Sequence, residues 1–258
     1  MTVLNALRGM LVLTEQPVPT TRVKMTGMQV MASRMWPLFT TMGFLIILAS
    51  LAYGVVLANF TSDYLAFPKE ARDQAAAGSS IVDKKVFIET TKIWLPAFKF
   101  LGLGLLLGGI TFLLATIIGT LRLGGGVVQQ AFGREVVNLK PPLTANLFPM
   151  LMMLGLMVLM ATLALSIVVA FIAHGYWNHS IANELSTAPE GSALAENFKT
   201  IKFYTTWLPA FKFAGIALML SGIMLSLHTI IYVMRFRSRR LREMVQGIEA
   251  APQREEVN

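Results

Sequence analysis

The sequence of 258 residues contains no cysteine. This absence excludes disulfide bonds, thiolate metal sites, iron–sulfur clusters and a cysteine nucleophile. Charged residues are also scarce, since they make up 14% of the chain against roughly a quarter in soluble domains. Hydrophobic residues reach 55%, and the mean hydropathy is +0.61. The composition therefore indicates a protein whose solvent is a lipid bilayer.

The common catalytic and nucleotide-binding motifs are missing as well. The chain has no Walker motif, no GxGxxG after a strand, no GxSxG and no HExxH. The glycine-rich run RLGGGVVQQ follows an apolar segment and lacks the lysine and hydroxyl residue of a phosphate-binding loop. From the residues we predict neither an enzyme nor a resident cofactor.

Four apolar segments are long enough to cross a bilayer, which takes about 20 residues. None of them contains an acidic residue. We predict an all-α integral membrane protein with transmembrane helices over 36–60, 94–121, 147–173 and 207–234. The remaining parts are an N-terminal segment 1–34 with an amphipathic helix at the membrane surface, outer loop 61–93, linker 122–146, outer loop 174–206 and tail 235–258. We expect the two loops to form short helices and turns.

The basic residues indicate how the chain is oriented. The N-terminal segment, linker and tail together hold 13 basic and 6 acidic residues, whereas the two loops hold 7 and 8. Cytoplasmic segments carry the excess of lysine and arginine. We therefore predict an inner (cytoplasmic) membrane protein with both termini in the cytoplasm. The same rule accounts for the net charge of +8, so no nucleic-acid partner is needed.

The heptapeptide WLPAFKF occurs at 94–100 and again at 207–213. The matches continue along both segments at an offset of 113 residues, and 37–52 matches 149–164 at an offset of 112. We interpret the chain as a tandem duplication of a two-helix hairpin, with copies over 35–121 and 147–234. Each copy crosses the membrane twice, so both copies have the same orientation. A pseudo-two-fold axis along the membrane normal is expected.

The repeated motif places a tryptophan, a proline and a lysine at the mouth of two helices. The residues concerned are Trp94, Pro96, Lys99, Trp207, Pro209 and Lys212. Proline is favoured at the first helical position, so we expect both prolines, and likewise Pro37 and Pro149, to lie at or near the start of their helices. The lysines then act as interfacial anchors that reach the headgroups. Alternatively, Lys99 and Lys212 line an outer anion vestibule or contact another subunit.

Histidine and methionine offer the metal ligands in this chain. His174 and His179 could hold copper if Gly175 breaks the helix, and thioethers also bind cuprous ions. Four methionines share one helical stripe: Met150, Met153, Met157 and Met160. Interfacial histidines and methionine packing are the competing interpretations. His228 is the intramembrane polar candidate, for which we expect a hydrogen bond to a neighbouring helix.

The C-terminal basic cluster suits anionic lipid headgroups or an acidic partner. It comprises Arg235, Arg237, Arg239, Arg240 and Arg242. With no catalytic constellation and few intramembrane polar groups, the sequence favours a non-catalytic accessory or structural subunit of a larger membrane complex, such as a redox enzyme. A small transporter or channel with a vestibule at Lys99 and Lys212 is the first alternative. A copper or redox membrane protein that uses the histidines and the methionine stripe is the second.

Overall fold

The computed structural model describes residues 27–131, 142–179 and 192–249, and its regular secondary structure there is helical. The helices are α1 (Gly27–Leu65), α2 (Lys69–Asp73), α3 (Ser80–Ala131), α4 (Thr144–Trp177) and α5 (Ala193–Glu249). Helices α1, α3, α4 and α5 are long and apolar enough to cross a membrane. This confirms the prediction of a membrane protein with four candidate transmembrane helices.

The long helices begin upstream of the predicted spans. Proline had been expected to start each of them, and this expectation is wrong, since Pro37, Pro96, Pro149 and Pro209 all lie inside helices. A proline inside a helix removes one backbone hydrogen bond. Transmembrane helices tolerate that loss because neighbouring groups satisfy the freed carbonyl. Much of each region predicted as an outer loop is therefore the first part of α3 or α5.

A small apolar cluster explains why α3 starts so early. Val82 and Val86, on its first turns, are buried together with Ala75 and pack against Trp177 at the end of α4. The short link between α2 and α3 contains Gly78, whose φ of 76° lies in the left-handed region that glycine adopts readily. The first turns of α3 lie upstream of the predicted apolar span, and their packing in this cluster stabilises them as helix.

Two further boundaries differ from the predicted ones. Helix α1 already includes residues 27–34 of the predicted N-terminal segment, and α3 continues into the predicted linker. The predicted surface helix near the N-terminus otherwise lies outside the described residues. Helix α5 continues to Glu249, as expected for a tail that extends the fourth span.

The four long helices form two hairpins, α1 with α3 and α4 with α5, and α3 also packs against α4 and α5. The apolar core between the hairpins consists of Leu101, Leu105, Met152, Leu159 and Met219. Helix α3 is thus the central element of the bundle. The end of the bundle that carries Trp94, Trp177 and Trp207 is called the tryptophan end below, and the end with Arg122 and Arg235 the arginine end.

Both hairpins are held by close contacts between glycine backbones. A Cβ atom on Gly43 would stand 2.8 Å from the carbonyl oxygen of Gly102, and one on Gly155 would stand 2.7 Å from that of Gly215. These two pairs are related by the sequence offsets of 112 and 113 residues. The space that a side chain would need is occupied by the partner helix, so only glycine permits this approach.

A second pair of glycines repeats this correspondence about two turns further along α3 and α5. A Cβ on Gly109 would stand 3.2 Å from the carbonyl oxygen of Trp36, and one on Gly222 would stand 3.1 Å from that of Phe148. Buried hydroxyls correspond too, since the Ser50 hydroxyl donates to the Ile46 carbonyl and the Thr162 hydroxyl to the Val158 carbonyl, at 2.7 and 2.6 Å. Equivalent positions therefore make equivalent contacts within the two hairpins.

Between the hairpins the packing is unequal. Helix α4 contributes ten buried residues, whereas α1 contributes Ala32, Gly43 and Ser50. Helix α4 lies between α3 and α5, while α1 packs chiefly against α3. The contact of α3 with α4 thus has no counterpart of similar extent between α5 and α1. One side of α1 and one side of α5 remain open.

Candidate functional site

A cavity of about 380 Å³ lies at the tryptophan end, between α3, α4 and α5. Both prolines of the repeated motif, Pro96 and Pro209, line it. Because proline has no N–H group, the carbonyls four residues earlier, at Lys92 and Thr205, lack their usual helical donors. Lys92 and Thr205 also line the cavity. The repeated motif therefore places two carbonyls without helical donors around the same cavity.

The two motif lysines lie in different surroundings. Lys212 is only 6% exposed and lines the cavity, and it forms no ion pair or hydrogen bond with any other described residue. Lys99 is exposed and is absent from the cavity lining. Its Nζ lies 3.9 Å from the Cβ position of Gly54 on α1. The structure thus brings one motif lysine to the cavity and leaves the other on the surface between α1 and α3.

The central position of α3 causes this difference. Pro96 and Phe100 of α3 line the same cavity as Lys212, whereas within the described ranges no third helix covers the corresponding side of the first hairpin. Position along the helix is the same for both lysines, and only the neighbouring hairpin differs. The sequence of the motif contains no signal for such a difference.

Three charged residues near the cavity were not singled out from the sequence. Glu89 and Lys92 line it and pair with each other, with Lys92 Nζ 2.8 Å from Glu89 Oε1. Lys202 lines it from α5 and lies over the Phe198 ring at 5.4 Å. Glu89 and Lys92 are three residues apart, a spacing that indicates an ion pair on one face of a helix. We did not use this pattern because the segment was predicted to be an outer loop. Because the Glu89–Lys92 pair is neutral, Lys202 and Lys212 leave the cavity with a net positive charge.

Two aromatic pairs of the repeated motif lie at the tryptophan end, outside the cavity lining. Trp94 contacts Phe98 and Trp207 contacts Phe211 at centroid distances of 5.9 and 4.7 Å, so the motif repeats the same edge-to-face pair. The indole nitrogen of Trp207 is buried and has no hydrogen-bond partner among the described residues. Between the hairpins, the rings of Phe100 and Phe213 meet edge to face at 5.3 Å. The inner wall of the cavity is therefore apolar.

The predicted metal ligands do not form a cluster. Within the described ranges, no group of three or more histidine, aspartate or glutamate side chains could hold a metal ion. His174 and His179 are both exposed at the tryptophan end, and Gly175 continues α4 without a break. The methionine stripe of Met150, Met153, Met157 and Met160 also faces outward. A copper site at the two histidines remains a hypothesis.

His228 lies on the outer surface of α5. Its side chain is exposed and forms no hydrogen bond with another described residue. The bond to a neighbouring helix that we expected is therefore absent from the described part of the chain. A histidine facing hydrocarbon is costly unless another group satisfies it.

The arginine end carries the basic cluster on the last turns of α5. Arg235, Arg239 and Arg242 are exposed, while Arg240 pairs with Glu243 at 2.9 Å. Arg237 packs against α3, where its Nε lies 3.6 Å from the Cβ position of Gly125. The cluster is therefore divided between free charges and side chains engaged within the protein.

Comparisons with protein-family models, curated proteins and solved structures find no match to this chain.

Proposed function

We propose that this protein is a non-catalytic integral-membrane subunit that joins other membrane polypeptides in a larger complex. The observation that carries the proposal is an open face on α5. Its residues, called the α5 stripe below, recur every three or four positions and all are exposed. They are Ala210, Ala214, Ala217, Ser221, Met224 and His228.

The equivalent face of α3 is buried. The positions 113 residues earlier are Ala97, Leu101, Gly104, Gly108, Thr111 and Ala115; the first five are buried and Ala115 is partly buried. At Gly104 the neighbouring helix comes so close that a Cβ atom would overlap Leu159 of α4. If the chain is a duplicated hairpin, α5 retains a packing face that no helix of the described residues covers. A helix from another polypeptide is the occupant that we propose.

The composition of the α5 stripe supports a protein neighbour over lipid. Small residues bring no advantage against acyl chains, but they let two helix backbones approach closely. His228 at the end of the stripe needs a hydrogen-bond partner that lipid tails cannot offer. A partner helix with a serine, threonine, asparagine or free carbonyl near this depth would satisfy the imidazole. Both features favour assembly with other helices.

In this proposal the arginine end is cytoplasmic and the tryptophan end faces outward. Arg235, Arg239 and Arg242 would contact anionic headgroups of the cytoplasmic leaflet. A transporter with both motif lysines in one vestibule is the weaker candidate, because Lys99 lies outside the cavity that Lys212 lines.

Native mass spectrometry after gentle extraction from the source membrane tests the proposal. We expect an assembly that contains this 28.4 kDa chain together with other polypeptides. A chain found alone or only with copies of itself would contradict the proposal.

A further inference from the structure

We infer that the cavity at the tryptophan end is a binding site for an anionic amphiphile. The acidic headgroup would lie at Lys212, and an acyl chain would follow the apolar wall that Phe100 and Phe213 form. This site is separate from the α5 stripe and does not depend on the proposed subunit role.

The charge of the cavity selects an anion. A lysine that is 6% exposed within an apolar helix bundle is costly unless a counter-charge accompanies it. The acidic residue in the cavity lining is Glu89, and it already pairs with Lys92. Lys202 adds a second positive charge at the rim. A bound carboxylate or phosphate would supply the counter-charge that the described side chains do not.

The walls of the cavity select an acyl chain. Beyond Lys212, the lining includes Ile93, Val169 and Leu208 as well as the two phenylalanines. The volume of about 380 Å³ falls within the range of ligand sites, roughly 300–1,000 Å³. A small hydrophilic anion would leave most of this wall in contact with water. An amphiphile matches the charged and the apolar parts together.

Two sources could provide this chemistry, namely the phosphate of an anionic phospholipid and the carboxylate of a free fatty acid. The carbonyls of Lys92 and Thr205, which the prolines leave without helical donors, could accept hydrogen bonds from headgroup hydroxyls. A fatty acid has no such hydroxyl. A preference for phosphatidylglycerol over oleate would therefore identify a phospholipid site, and the reverse would identify a fatty-acid site. Either preference supports the inference.

Fluorescence of the full-length protein in detergent gives a direct binding assay. Bromine atoms on an acyl chain quench nearby tryptophan, and Trp177 lines the cavity. The probes are chain-brominated oleate, chain-brominated phosphatidylglycerol and a neutral diacylglycerol with the same brominated chains. We expect saturable quenching by at least one of the two anionic probes and a much weaker effect of the neutral probe. The variant Trp177→Phe should lose the saturable component.

The chain supplies its own matched control for the lysine. Lys212→Gln should weaken binding of the anionic probe by about thirtyfold or more, since a buried charge loses its partner. Lys99→Gln removes the same charge at the equivalent, exposed position and should leave binding unchanged. Lys212→Arg keeps the charge and should retain most of the affinity.

Several results would overturn the inference. They are the absence of saturable quenching, equal binding of the neutral and anionic probes to the wild-type protein, and equal losses in the two lysine-to-glutamine variants. The comparison of neutral and anionic probes needs no variant, so it holds even if Lys212→Gln fails to fold. Thermal unfolding of the wild-type protein with each probe gives an independent check, because a bound ligand raises the midpoint.

Discussion

Gly155 and Gly215 bring α4 and α5 into backbone contact, since a Cβ atom on Gly155 would stand 2.7 Å from the carbonyl oxygen of Gly215. The same relationship joins Gly43 to Gly102 in the first hairpin at 2.8 Å. Each hairpin therefore contains a position where two glycine backbones meet without intervening side chains.

Alanine at Gly155 should separate these helices. We expect Gly155→Ala to lower the free energy of unfolding by about 1–3 kcal/mol, because the added methyl group meets backbone that must shift. Thermal or denaturant unfolding in detergent measures the change. Gly175→Ala is the matched control on the same helix, since nothing lies within 4 Å of its Cβ position. That variant should be neutral or stabilised by up to about 1 kcal/mol, and equal destabilisation of both variants would contradict the proposed contact.

The absence of native cysteine makes the proposed orientation easy to test. A single cysteine at Ala77, exposed near the tryptophan end, should react with a membrane-impermeant maleimide added to intact cells. A single cysteine at Ser238, exposed at the arginine end, should react only after the membrane is permeabilised. Unsubstituted protein provides the background. The opposite labelling pattern would reverse the proposed orientation.

A bulky side chain in the α5 stripe should prevent partner binding. We expect Ala217→Trp to leave the thermal stability of the isolated chain unchanged, because Ala217 is exposed, while abolishing co-purification of other polypeptides. Ala164→Trp makes the same exchange at an exposed position of α4 and should preserve the assembly. Intact assembly with tryptophan at Ala217 would show that the stripe faces lipid.

Free and paired arginines at the arginine end should differ in lipid binding. Neutralising Arg239 and Arg242 with glutamine should reduce the anionic lipid that co-purifies in nanodiscs, since each surface charge contributes about 1 kcal/mol. Arg240→Gln should have a smaller effect, because Arg240 is paired with Glu243. Mass spectrometry of the extracted lipids measures the difference. Similar losses for the paired and the free positions would contradict this division.

The number and apolar character of the long helices could be predicted from the sequence, because apolar length alone decides whether a segment can cross a bilayer. The starts of the helices could not. Pro96 resembles a first-turn proline, yet α3 continues upstream of it, where Val82 and Val86 are buried against Trp177, a residue distant in sequence. The spacing of four residues between these valines is typical of one face of a helix, and it indicates that the helix extends into the segment predicted as a loop.

The candidate site was only partly predictable. The repeated motif pointed to Lys99 and Lys212 as equivalent residues, and their local sequences are identical. Their surroundings differ because α3 packs against the second hairpin, while none of the described helices covers the same side of the first. The seven-residue motif is identical in both copies, so it contains no information about which neighbouring helix packs against it. Glu89 and Lys92 were assigned to a loop, so their place in the cavity lining could not be anticipated.

The unequal packing of the two hairpins also bears on how further hairpins could be added to such a bundle. In the proposed duplication, each hairpin has two different packing surfaces. At the contact between hairpins, the second helix of one (at Gly104) packs against the first helix of the next (at Leu159). Such a contact between unlike surfaces is heterologous. Repeated heterologous contacts form a closed ring only if the rotation from one hairpin to the next adds up to a full turn, and otherwise they form an open array. In such an open array, the packing between hairpins sets no limit on how many hairpins can be added.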